Sequence, residues 1–175
     1  LGLRFDGVCD IGAYFVGATV GPIAHMVHRL PGPYKTPVVH IAVRGVATNK
    51  PTTGPYRGAG GPEAAYFMER TMDTIAVELD LDPVEVRRRN LIPSGALPYT
   101  TPTGLNYDTG DYPRLLDKLV ELSGYEQMRR EQAQARAEGR LVGIGVASFI
   151  KAVGGGSIFL RSTARVEIGP EGHVN

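Results

Sequence analysis

The chain has 175 residues, enough for one sizeable hydrophobic core or parts of two. Its formal net charge of +1 argues against a nucleic-acid-binding protein, because such proteins usually carry a basic surface. The single cysteine excludes an internal disulfide, and no apolar run is long enough to span a membrane, so we expect a cytoplasmic protein.

The first third of the chain predicts two strands with a short helix between them. Alternating β-branched residues are typical of strands, and proline favours the first position of a helix. The predicted elements are a strand over 3–9, a packed loop over 10–18, a helix over 22–29, a stiff turn over 30–34 and a strand over 38–47.

Residues 54–63, a glycine-rich loop that leads into a helix at Pro62, are the most informative stretch. Glycine permits close approach of a ligand, and a helix N-terminus directs N–H groups and a positive dipole toward anions. Arg57 adds a fork of donors suited to phosphate, carboxylate or oxo groups. The loop by itself is equally consistent with an ordinary turn, with Arg57 in a surface ion pair.

Two helices follow the loop. Apolar residues spaced three and four apart predict a helix from Pro62 to about Leu79, on which Asp73 and Glu78 are expected to be solvated. Asp82, followed by proline and an acid three residues after it, predicts the N-cap of a second helix that ends near residue 90. The cationic run 87–89 lies on that helix, and we expect it to form a solvated or salt-bridged face.

The remainder of the chain predicts a loop over 93–107, two helices and two strands. Asp111 begins a helix that ends at Gly124, and five apolar residues are expected to face inward. They are Leu115, Leu116, Leu119, Val120 and Leu122. A polar surface helix is predicted over 125–138 and strands over 140–150 and 159–168, while the glycines at 154–156 are either a connection or a loop over a ligand.

The histidines and the cysteine are weak candidates for metal binding or nucleophilic catalysis. His25 and His28 would share one face of a helix, but no third ligand is nearby, so we expect no metal held by protein side chains. Cys9 lies in an apolar strand and is expected to be a buried, inert thiol.

Five ordered segments carry a family resemblance: 30–34, 55–70, 81–92, 98–112 and 143–146. Together they resemble the molybdopterin-binding large subunit of the xanthine dehydrogenase, aldehyde oxidase and aerobic carbon monoxide dehydrogenase family, and the resemblance covers essentially the whole chain. It implies an α+β (mixed α/β) fold. It also implies an internal fragment, with the end of a first molybdopterin-binding domain at 1–92, a connector at 93–139 and the start of a second domain at 140–175.

The resemblance further implies a molybdenum-dependent enzyme that oxidises an aldehyde or N-heteroaromatic carbon with oxygen derived from water. The cofactor would be molybdenum–molybdopterin, in its cytosine dinucleotide form. Electrons would pass to 2Fe–2S clusters and FAD on partner domains or subunits, so a hetero-oligomer is expected. The family's catalytic glutamate would lie outside these residues, and the fragment alone would be inactive.

By the same resemblance, Arg57 matches the arginine beside the molybdenum, and Gly58, Ala59 and Gly60 would line the cofactor. Ala59 replaces an aromatic residue of the purine oxidisers, and His25 falls at a substrate-pocket position. Gly58 replaces the copper-binding cysteine of true carbon monoxide dehydrogenases, which argues against carbon monoxide as substrate.

Three other readings stay open. The chain could belong to a non-catalytic or degenerate assembly subunit of the same family, or to a true carbon monoxide dehydrogenase. A simple phosphate-binding module that uses the glycine loop is a third.

Overall fold

The chain opens with a β–α–β unit in the computed structural model, which describes residues 2–151 together with 166, 170 and 171. Strands β1 (Leu3–Gly12) and β2 (Val39–Ala47) pair in parallel, with helix α1 (Gly17–Arg29) between them in sequence. A parallel pair needs such a crossover connection. The ladder runs from Leu3 opposite Val39, and its register shifts after Asp10.

Both β1 and α1 extend into the predicted packed loop over 10–18, so that prediction is wrong at its two ends. Pro22 lies inside α1 rather than at its first position. A side chain stabilises the added turn, because Thr19 Oγ1 accepts the Val16 N–H at 3.4 Å and donates to the Thr53 carbonyl at 3.1 Å. This tertiary bond offsets the poor helix propensity of the glycines in that turn.

The two helices after the glycine loop confirm the sequence prediction. Helix α2 spans Gly61–Glu78 and helix α3 spans Pro83–Asn90. Asp82 is the N-cap of α3, and its Oδ1 accepts the N–H groups of Val84 at 2.8 Å and Glu85 at 3.3 Å. The local signals of aspartate and proline therefore suffice to begin this helix.

The predicted loop over 93–107 contains a 3₁₀ turn (Ser94–Ala96) and a small antiparallel pair of strands, β3 (Tyr99–Thr100) and β4 (Asn106–Tyr107). Helices α4 (Tyr112–Ser123) and α5 (Tyr125–Ala137) follow it. Gly124 ends α4 in the left-handed conformation, as predicted.

The prediction that five apolar residues of α4 face inward is only partly correct. Leu116 is buried and Val120 packs beside it, whereas Leu115, Leu119 and Leu122 are 70%, 48% and 73% exposed. The five residues form two neighbouring stripes, and only the stripe of Leu116 and Val120, which continues from Tyr112, meets the core.

The main core joins the turn after α1 to four helices. Its buried members are Tyr34, Met68, Met72, Ala76, Val84, Val86, Leu91, Leu116 and Tyr125. Helices and strands together confirm the α+β, mixed α/β class. The division at residues 92 and 139 stays a prediction.

No strand forms over 140–150, so that prediction is wrong within the described residues. Exposure alternates along 144–150 as in a strand, but a strand also needs a hydrogen-bonded neighbour. The predicted strand over 159–168, apart from Val166, and the glycines at 154–156 lie outside the described residues. None of the helices in the described part of the chain is long and apolar enough to cross a bilayer.

Candidate functional site

The glycine loop at 54–60 is the last part of the connection from β2 to α2, and its own backbone hydrogen bonds define its turns. The Ala59 N–H donates to the Tyr56 carbonyl at 2.8 Å, and the Gly61 N–H donates to the Gly58 carbonyl at 3.0 Å. The Ala64 N–H then donates to Gly60 at 3.1 Å, which starts the helix. These bonds give the loop one defined shape at the N-terminus of α2.

Three successive residues of the loop have positive φ angles: 98° at Gly58, 40° at Ala59 and 90° at Gly60. Alanine rarely adopts such a conformation, which is locally unfavourable for a residue with a Cβ. Contacts outside the loop must therefore help to hold Ala59 in place.

Helix α1 supplies those contacts. A Cβ on Gly60 would overlap the Pro22 carbonyl oxygen and lie 2.7 Å from the Met26 nitrogen, so loop and helix touch backbone to backbone. One residue earlier, His25 Nδ1 lies 3.1 Å from the Ala59 carbonyl oxygen. The structure thus brings His25, Ala59 and Gly60 together, and the resemblance had placed His25 and Ala59 in the substrate pocket and Gly60 beside the cofactor.

Gly60→Ala is expected to separate the loop from α1, because the new methyl group has no space and the residue keeps a φ of 90°. We expect a loss of about 2–4 kcal/mol in the local stability of the loop and the first turn of α2. Hydrogen exchange of their amides measures this loss. Gly54→Ala is the matched control, since a Cβ there meets no atom within 4 Å. Equal exchange in the two variants would contradict the tight contact.

Arg57 projects from this loop as an exposed side chain. Among the described residues its guanidinium has no carboxylate within 4.0 Å and no hydrogen-bond partner. The permanent charge lies beside the N-terminus of α2, and both favour an anionic ligand. The chemistry of this exposed guanidinium suits an oxo or phosphate group.

Asp10, at the end of β1, anchors the segment that leads into the loop. It forms an ion pair with Lys50 at 2.8 Å and accepts hydrogen bonds from the Thr48 hydroxyl at 2.7 Å and the Gly12 N–H at 2.9 Å. These three partners, Lys50 first, lower the pKa of Asp10 to about 2. The carboxylate is thus ionised at neutral pH and ties β1 to residues 48–50.

The remaining sequence candidates have structural partners. His28 Nδ1 lies 2.8 Å from the Thr103 carbonyl oxygen, away from the glycine loop. Cys9 is only partly buried, and that burial, followed by the charges of Asp10 and Glu63, raises the pKa of its thiol. In the part of the chain that the structure describes, no three His, Cys, Asp or Glu side chains are grouped to hold a metal ion.

The sequence did not predict a buried ion-pair cluster that lies between α2 and α3. Arg87 is salt-bridged, one of the two predicted outcomes, but it is fully buried and does not lie on an exposed face. Its Nε donates to Glu69 at 2.8 Å and its Nη2 to Asp73 at 2.9 Å, so Asp73 is a partner and is not free in solvent. Arg88 and Arg89 do form the expected surface pairs with Glu85.

Further bonds complete the cluster. The Tyr34 hydroxyl donates to Glu69 at 2.5 Å and the Ser148 N–H donates to the same carboxylate at 2.9 Å. Burial and then Glu69 raise the pKa of Tyr34. The sequence does contain one signal for this burial, because Arg87 lies on the same helical stripe as Val84 and Leu91.

Comparison with known proteins matches residues 1–91 to the family model described as the molybdopterin cofactor-binding domain. The carbon monoxide dehydrogenase large chain of Hydrogenophaga pseudoflava is 40% identical over 89% of this chain and 20% of its own length. The nicotine 6-hydroxylase large subunit of Paenarthrobacter nicotinovorans is 30% identical over 87% of this chain and 19% of its own length.

A solved structure extends the likeness to the fold. Quinoline 2-oxidoreductase from Pseudomonas putida 86 superposes with a TM-score of 0.69 at 34% identity, over 75% of this chain and 17% of that protein.

The fold and the glycine loop thus define a cofactor-binding unit whose loop carries one exposed positive charge, Arg57. The chain belongs to the molybdopterin cofactor-binding domain family, among the large subunits of the xanthine dehydrogenase and carbon monoxide dehydrogenase group. It spans about a fifth of the length of the curated relatives it matches.

The residues of the loop fit such a cofactor. Molybdopterin carries phosphate and binds a metal with oxygen ligands, and a cationic hydrogen-bond donor suits both groups. Arg57 offers an unpaired guanidinium within the described residues, and Gly54 leaves open space beside the backbone. The pterin supplies the sulfur ligands of the metal, so the residues here need not ligate it.

Proposed function

We propose that the chain is part of the large subunit of a molybdenum-dependent hydroxylase or dehydrogenase, with residues 54–60 at the molybdenum end of the cofactor. The observation that carries this proposal is the exposed Arg57 on a rigid loop at the start of α2, inside the matched residues. A fixed positive charge on a preorganised loop stabilises negative charge that develops during a reaction.

The bound cofactor would supply the redox-active metal that accepts electrons from the substrate carbon. Arg57 would hold negatively charged oxygen at that end of the site, because its guanidinium is always protonated. Gly58 and Ala59 would leave room for the substrate, since neither side chain exceeds a methyl group. His25 lies against the same loop and would border this space.

The substrate we favour is an aldehyde or an N-heteroaromatic ring. Two of the similar proteins are named for nicotine and quinoline, both nitrogen heterocycles. The 40% identity to a carbon monoxide dehydrogenase favours carbon monoxide as a second candidate. Gly58 weighs against it, because glycine offers no thiolate for copper.

The remaining features of the proposal follow from the family. The cofactor would be the cytosine dinucleotide form of molybdopterin, and electrons would pass to 2Fe–2S clusters and FAD on partner domains or subunits. The assembly would be a hetero-oligomer, in line with the words "large chain" and "large subunit" in the names of the relatives, and we place it in the cytoplasm.

The native protein, purified with its associated subunits, tests the proposal. We expect stoichiometric molybdenum by elemental analysis, a cytosine nucleotide released on acid hydrolysis, and product oxygen derived from ¹⁸O-labelled water. The substrate panel contains aldehydes, quinoline-type rings and carbon monoxide.

Each alternative has its own result. Oxidation of carbon monoxide alone, with copper present, would replace the proposed substrate class. Protein without molybdenum and without activity would favour the assembly subunit, and tight binding of a simple nucleotide would favour the phosphate-binding module.

A further inference from the structure

One face of helix α1 lies along the glycine loop and the residues that precede it. Thr19 donates to the Thr53 carbonyl at 3.1 Å, Pro22 and Met26 touch Gly60, and His25 meets Ala59. These positions are spaced three and four residues apart, so they share one side of the helix. The loop is therefore shaped by α1 as well as by its own backbone bonds.

His25 is the hydrogen-bond donor in this contact. A backbone carbonyl oxygen only accepts hydrogen bonds, so the Nδ1 atom 3.1 Å from Ala59 must carry the proton. The Ala59 N–H donates to Tyr56 at 2.8 Å, which means that both peptide groups flanking the Ala59 Cα are held. Two fixed peptide groups hold an alanine at a positive φ that it would otherwise avoid.

We propose that His25 is a positioning residue for the glycine loop, acting through the Nδ1–H bond to the Ala59 carbonyl and so fixing the direction of Arg57. This inference rests on the proposed function, in which Arg57 meets the cofactor. It differs from the substrate-pocket reading, because the active part of His25 is the hydrogen bond to Ala59 and no contact with substrate is required.

The test compares His25→Leu with His25→Asn in the native complex. Leucine fills a similar volume without a donor. The asparagine amide nitrogen and His Nδ1 are both bonded to the γ-carbon, so asparagine can restore the bond to Ala59. His28→Leu is the matched control, since His28 makes the same kind of bond, at 2.8 Å, to Thr103 instead.

We expect amides of residues 56–64 to exchange about fivefold faster in His25→Leu, with kcat/KM reduced by a similar factor, as loss of one neutral hydrogen bond implies. His25→Asn is expected to stay within about twofold of the wild type in both measurements, and His28→Leu to leave these amides unchanged. If His25→Leu does not accumulate, His25→Ala replaces it in the same comparison with His25→Asn.

Unchanged exchange in His25→Leu, or equal damage in His25→Leu and His25→Asn, would overturn the positioning role. Hydrogen exchange needs no catalysis, so this result is independent of the proposed function. If Arg57 proves irrelevant to turnover while the exchange pattern holds, the proposed function fails and the contact between His25 and the loop stands.

Discussion

Arg57→Ala is expected to lower kcat/KM by about 100- to 1,000-fold while leaving the molybdenum content of the purified complex unchanged, the usual cost of removing a preorganised charge-stabilising donor. Arg57 is exposed and makes no hydrogen bond or ion pair within the described residues, so the substitution removes little structural support. Steady-state kinetics on a substrate of the native enzyme, together with elemental analysis, measures both quantities.

Arg57→Lys separates charge from shape. Lysine keeps the positive charge but lacks the planar fork of donors, so we expect a loss of about tenfold. Arg44→Ala is the matched control, because Arg44 is an exposed arginine on β2 and is not one of the loop residues 54–60, and it should leave turnover unchanged. Wild-type turnover in Arg57→Ala at full molybdenum content would remove Arg57 from the proposed site.

Arg87→Met is expected to destabilise helices α2 and α3 by about 3–5 kcal/mol, because it leaves Glu69 buried without its cationic partner. Among the described residues, Glu69 would retain the Tyr34 hydroxyl and the Ser148 N–H as its hydrogen-bond donors. In the wild type the buried Arg87 guanidinium is paired with two carboxylates, Glu69 and Asp73. Burial alone would lower the pKa of Arg87, but Glu69 and Asp73 outweigh that effect and raise it. Native-state hydrogen exchange of the α2 and α3 amides measures the local free energy of opening.

The neighbouring Arg88 is the matched control. It pairs with Glu85 and Asp117 on the surface, where such pairs contribute about 0–1 kcal/mol, so Arg88→Met should cost far less. The double variant Arg87→Met with Glu69→Leu should recover part of the loss, since no unpaired carboxylate then remains at Glu69. Equal losses in Arg87→Met and Arg88→Met would contradict the burial of Arg87.

Much of the fold was predictable where the signal is local. Asp82 followed by Pro83 starts α3, Gly124 ends α4, and the apolar spacing after Pro62 marks α2. In each case the deciding interaction lies within a few residues of the chain. The start of α1 was misplaced because its first turn depends on a bond from Thr19 to Thr53, 34 residues away.

In the candidate site, too, the local features were predictable and the long-range contacts were not. The glycine loop and Arg57 stand out in the sequence, because few residue types allow that backbone and that charge. The family resemblance placed His25 and Ala59 in one substrate pocket, but their hydrogen bond joins residues 34 apart and forms only when α1 packs on the loop.

Ordered motifs and short-range backbone preferences were enough to predict the family, the glycine-rich loop and the helix boundaries after Pro62. Three features became visible only in the folded chain: which leucines of α4 reach the core, the burial of Arg87 against Glu69, and the contact between α1 and Ala59. In each of them burial and pairing depend on which surfaces meet, and residues far apart in the chain supply those surfaces.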